Sequence, residues 1–75
     1  MIGYSQLIVA ANKTASGKLL GVKLGRYCIA NDIPVADVME FFGVSKQTVY
    51  NWFIGKNEPS KSYQREITEF LARVE

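Results

Sequence analysis

The chain has 75 residues, 48% of them apolar and 21% charged, which fits one small globular domain and argues against a disordered tail. Nine Lys or Arg against seven Asp or Glu give a net +2, too mild a surplus to argue for a nucleic-acid partner by itself. Histidine is absent and Cys28 is the sole cysteine, which removes the usual general base, an internal disulfide and a Cys-rich zinc site, so no metal or cofactor is expected.

No apolar run approaches the roughly 18 residues of a membrane-spanning helix. Met1-Ile2-Gly3-Tyr4 lacks the basic flank and long apolar stretch of a secretory signal. These features predict a cytoplasmic binding protein with no membrane partner.

Tyr4, Leu7, Ile8 and Ala11 recur at helical spacing, although the run Leu7-Ile8-Val9-Ala10 also suits a short strand. Residues 1–13 are therefore read as an extra short helix or an arm. Residues 12–16 read as a polar connection, with Thr14 and Ser16 both able to cap the following helix. From about residue 17 to 30, a helix places Leu20, Leu24, Tyr27 and Cys28 on one face. Gly17, Gly21 and Gly25 are spaced by four, which predicts that another helix approaches closely. The membrane-dimer reading of that stripe fails because Lys18, Lys23 and Arg26 interrupt it.

Pro34 ends this helix and opens the next, residues 34–42, whose inward stripe is Val35, Val38, Met39 and Phe42. Gly43 follows as a residue able to take the left-handed conformation that closes a helix. Ser45 then caps a helix that carries Val49, Trp52 and Phe53 inward and ends near Gly55. Glu58-Pro59-Ser60 is a turn. From Ser62 onward, Tyr63, Ile67, Phe70, Leu71 and Val74 form the cleanest helical stripe in the chain. The predicted fold is all-α: one domain, residues 1–75, built as a compact bundle of four to five short helices.

The tight join at Gly43-Val44 is the informative region. Two short amphipathic helices so closely linked must cross steeply, the geometry of a helix-turn-helix. The second of them then offers Ser45, Lys46, Gln47, Thr48, Tyr50 and Asn51 on its outer side, with Lys56 and Asn57 just past its end. Gln and Asn side chains can bond two edges of adenine, and Lys can reach guanine or a phosphate. Residues 43–65 hold Lys46, Lys56, Lys61 and Arg65 against Glu58 alone, a local +3, whereas residues 32–42 hold only Asp32, Asp37 and Glu40. Lys13, Lys18, Lys23 and Arg26 form a second basic cluster in reach of flanking phosphates. Plainer readings stand beside these: Trp52 as core, Cys28 as buried and inert, Tyr50 as a surface residue, and Lys61 and Arg65 as solvated charges.

Gly43-Val44-Ser45 followed by Val49, Trp52, Gly55 and Pro59 resembles the lambda repressor/Cro (Xre-type) helix-turn-helix family, strongly over residues 35–60. The resemblance implies a sequence-specific DNA-binding transcriptional regulator of a bacterium or phage. Double-stranded DNA would be its partner, with the helix at about residues 45–54 in the major groove. It assigns base contacts to Lys46, Gln47 and Asn51, sugar or phosphate contacts to Thr48 and Tyr50, and backbone contacts to Lys56 and the cap at Ser45. Three positions depart from the family pattern: Val35 stands where a phosphate-binding glutamine is usual, Met39 where a small residue is, and Pro34 at the polar cap.

Val22, Ile29, Phe41 and Ile54 fall outside the inward faces, and such a group suggests a homodimer contact. A second functional reading is a helix-turn-helix interaction or DNA-packaging module without strong sequence readout, because residues 45–52 also resemble small terminase subunits. An enzyme is not expected. Asp37 and Glu40 share a helix face, but no nucleophile–base pair or phosphate-cradling loop accompanies them.

Overall fold

The computed structural model describes residues 3–74, and among these the chain forms five α-helices joined by short turns. They are α1 (Gln6–Thr14), α2 (Leu20–Ala30), α3 (Val35–Phe42), α4 (Lys46–Phe53) and α5 (Lys61–Val74). The readings that concern Met1 and Ile2 lie outside the described residues. None of the described helices is long and apolar enough to cross a membrane.

The first helix corrects the sequence reading at three points. Leu7 is 83% exposed and so drops out of the predicted inward stripe, whose other members, Tyr4, Ile8 and Ala11, are half-buried. Asn12 is not a loop residue: it lies inside α1, is buried, and its Nδ2 donates to the carbonyls of Val22 (3.2 Å) and Phe53 (2.7 Å). The amide thus ties α1 to both α2 and α4. Tyr4 lies ahead of the helix, not in it, and its ring rests 5.7 Å from that of Phe53 while its hydroxyl donates to the Ile33 carbonyl.

The second helix starts at Leu20, three residues later than predicted, because Gly17 and Lys18 are taken up in a turn. Neither Thr14 nor Ser16 caps it. Thr14 Oγ1 turns back to the carbonyls of Ala10 and Ala11, and Ser16 Oγ accepts from the Lys18 N–H. The capping group comes from far along the chain instead: Glu58 accepts from the Gly21 N–H at 3.3 Å. A carboxylate suits this place, since the first N–H groups of a helix have no internal partner and carry positive potential. Arg26 works at the opposite kind of terminus, donating to the Asn12, Lys13 and Ala15 carbonyls where α1 ends.

The glycine stripe on α2 does bring a second helix close, at two of its three members. A Cβ on Gly21 would lie 2.6 Å from the Trp52 carbonyl oxygen, and one on Gly25 would lie 2.7 Å from the Phe53 ring. Gly17 faces only the flexible guanidinium of Arg26. The resulting core joins Leu24 and Cys28 of α2, Val38 and Phe42 of α3, Val49, Trp52 and Phe53 of α4, and Ile67 and Leu71 of α5. Val22 is wholly buried as well, so it cannot belong to a dimer surface; Ile29 and Ile54 are half-buried, and of the four only Phe41 is broadly exposed, at 66%.

Candidate functional site

The turn between α3 and α4 is built from local signals. Gly43 has φ +69° and ψ 37°, and its N–H and that of Val44 both return to the Met39 carbonyl, closing α3. Val44 is half-buried against the core, and Ser45 opens α4 by accepting the Thr48 N–H at 3.2 Å. Pro34 stands at the cap of α3 without a side-chain bond, as its chemistry requires. Met39 packs against the core from the α3 side.

Burial divides α4 into two sides. Val49, Trp52 and Phe53 are buried, whereas Lys46 and Gln47 are exposed, as is the cap residue Ser45. Thr48, Tyr50 and Asn51 are half-buried along the margins. Gln47 Nε2 donates to Asn51 Oδ1 at 3.0 Å, one helical turn apart. That bond aligns two carboxamides while leaving the Gln47 oxygen and the Asn51 amide protons free to pair outward. Ser45 and Thr48 hydroxyls meet at 3.0 Å and are engaged with each other as well as with the backbone. The N–H groups of Lys46 and Gln47 begin α4 with no partner inside the helix by geometry alone, and they point toward any acceptor that approaches its start.

Past α4, Gly55 takes φ +79°, and the N–H groups of Lys56 and Asn57 both return to the Asn51 carbonyl. This fold-back leaves the Lys56 and Asn57 side chains exposed beside the helix end, and Lys61 is exposed at the start of α5. Glu58, the one acid among residues 43–65, is turned to the start of α2, where it accepts from the Gly21 N–H. All four members of the second basic cluster are exposed, but Arg26 is committed to the end of α1, unlike Lys13, Lys18 and Lys23.

Tyr50 is more constrained than a sequence reading suggests. Its ring stands edge-on to Tyr4 at 6.4 Å, at the wall of a notch of about 230 Å³ that also touches Asp32, Pro34 and Ala36. Asp32 itself takes φ +54°, and the Ile33 N–H returns to the Cys28 carbonyl, so α2 is closed by a left-handed residue before Pro34 is reached. Burial raises the Tyr4 hydroxyl well above its ordinary pKa, reinforced by Cys28, Tyr50 and Asp37.

Two supporting residues, Asn12 and Glu58, escaped the sequence reading. Nothing local marks Asn12, whose partners are 10 and 41 residues away, or Glu58, whose partner is 37 residues away. No family model matches the chain, and neither a curated protein nor a solved structure matches it.

Proposed function

We propose that this protein is a sequence-specific DNA-binding transcriptional regulator of the lambda repressor/Cro kind, with α3, the Gly43 turn and α4 serving as a helix-turn-helix. The observation that carries the reading is the two-sidedness of α4: Val49, Trp52 and Phe53 anchor it, while Lys46, Gln47 and the Gln47–Asn51 amide pair lie on its uncovered side. In this arrangement α4 enters the major groove, Gln47 and Asn51 read base edges, and Lys46 reaches a base or phosphate. Ser45, Thr48 and Tyr50 border the groove. Lys56, Asn57 and Lys61 follow the backbone, where contacts position the protein without reading sequence.

Two copies would read half-sites about 34 Å apart, one turn of duplex. The cytoplasm of a bacterial or phage-infected cell is where such a protein meets its DNA.

Selection from a random duplex pool by mobility shift at moderate salt tests this. The expected result is one enriched sequence, with Gln47→Ala or Asn51→Ala costing roughly 1–3 kcal/mol and relaxing discrimination at one position. Lys56→Ala should weaken binding to every duplex and flatten the salt dependence. Binding without enrichment would favour the packaging-module reading, and a ring-sized assembly in solution scattering would strengthen it. No binding at all removes both.

A further inference from the structure

Phe41 is a knob beside a hole. Its ring is 66% exposed near the end of α3, yet it is held in place, 4.8 Å from the Phe42 ring and 6.3 Å from that of Phe70 on α5. Next to it an apolar hollow of about 180 Å³ runs between α3 and α5, floored by Leu24 and Cys28 and walled by Ile33, Val38 and Phe70. A dry cavity of about 150 Å³ lined by such side chains accepts a benzene molecule, so this volume suits one aromatic or long aliphatic side chain. It is too small for a drug-sized ligand, whose pockets run from roughly 300 Å³ upward.

Charge selects among the occupants of that size. Asp37 lies on the rim, one turn before Phe41, and the exposed Glu40 adjoins it; residues 32–42 contain three acids and no base. On α5, Glu66 sits one turn before Phe70, and Arg73, three residues after it, is the only cation so placed. A second copy of the chain seated here about a two-fold axis would press Asp37 and Glu40 against their own counterparts. The rim therefore disfavours self-association and favours a cationic visitor.

We propose that the hollow between α3 and α5 docks a basic amphipathic segment of a partner protein, one bulky apolar side chain filling it beside Phe41 while flanking Lys or Arg residues meet Asp37 and Glu40. Such a helix-in-groove mode needs only one deep anchor and charges a turn away on either side. This surface is distinct from the exposed side of α4, and the proposal stands or falls apart from any DNA reading.

Panning a random peptide display library against the full-length chain tests it, followed by amide chemical-shift mapping with the enriched peptides as synthetic probes. The expected peptides combine one aromatic or Leu-like residue with neighbouring Lys or Arg, and they shift the amides of Ile33, Asp37, Phe41 and Phe70. The double variant Asp37→Asn/Glu40→Gln touches only surface carboxylates and should weaken them about tenfold at low salt, an effect that vanishes at high ionic strength. Phe41→Ala, checked for an intact helical spectrum, should abolish the shifts. Absence of enrichment, charge-blind or acidic peptides, binding elsewhere, or indifference to the double variant would each overturn the proposal. Sedimentation showing that the chain associates with itself through Phe41 would overturn it too, by making a second copy the occupant.

Discussion

Asn12 is the one buried polar side chain among the described residues, and its environment explains why it is tolerated. Both partners are backbone carbonyls, Val22 O and Phe53 O, so the site asks for a donor and offers no proton in return. Asn12→Leu should cost about 1–3 kcal/mol, the usual penalty when buried acceptors lose their donor. Asn12→Asp should cost more than Asn12→Leu, because it sets an acceptor against two acceptors and buries a charge. Thermal unfolding of the two variants checks the order, and equal losses would show that packing, not the amide protons, holds this corner. The residue was misread because polarity alone marks a loop, and only the tertiary partners turn Asn12 into a core group. Lys46, Gln47 and Ser45 were legible for the opposite reason: their exposure follows from the period of α4 and from a cap three residues before Thr48.

At the level of elements, α3 and α4 were readable, whereas α1 and the central α2 were read only in part. α3 and α4 each bury one stripe, and periodicity finds it. α2 packs against α1, α4 and α5, so its buried arc runs from Leu24 round through Gly21 to Val22, and a single-stripe reading leaves Val22 outside. Val22 is covered by the Gly55 turn, where a Cβ on Gly55 would lie 3.3 Å from Val22 Cγ2.

The glycines separate two effects that a sequence cannot. Gly21→Ala and Gly25→Ala each gain up to about 1 kcal/mol of helix propensity, but the new methyl meets the Trp52 carbonyl in one case and the Phe53 ring and Asn12 amide in the other. Overpacking of this kind costs typically about 1–3 kcal/mol, so a net loss is expected, with a displaced α4 visible as an altered Trp52 emission. Gly43→Ala has open space around it and loses roughly 1–2 kcal/mol through its left-handed backbone alone. Its Trp52 emission should match that of the parent. Urea unfolding with tryptophan fluorescence distinguishes the cases, and an unchanged spectrum for Gly21→Ala would mean that α2 and α4 are not locked by close approach.

Across the whole molecule, two groups that ionise as anions are shut in near the junction of the N-terminal segment, α2 and α3. Burial pushes the Cys28 thiol from 9.0 up to about 12, and the Tyr4 hydroxyl, donating to the Ile33 carbonyl, is raised from 10.0 as well. In both, the folded state holds its proton more tightly than the unfolded chain does. Their contribution to stability is therefore complete below pH 9, where neither state ionises, and declines as the unfolded chain begins to release protons the fold retains. For Cys28 the decline runs from about pH 9 and is spent near pH 12. Tyr4 adds to it from about pH 10. Urea midpoints taken between pH 7 and 10.5 should be flat at first and then fall. Cys28→Ala should reduce the slope from pH 9 onward and Tyr4→Phe that above pH 10, each variant starting from its own lower plateau. A parallel expectation is slow alkylation of Cys28 at neutral pH, since the thiolate is scarce and the residue is 1% exposed. If the thiol reacted as fast as a free peptide cysteine while the helical spectrum stayed intact, the core would be opening locally around α2 and α3. The alkaline decline would then have to come from groups other than Cys28.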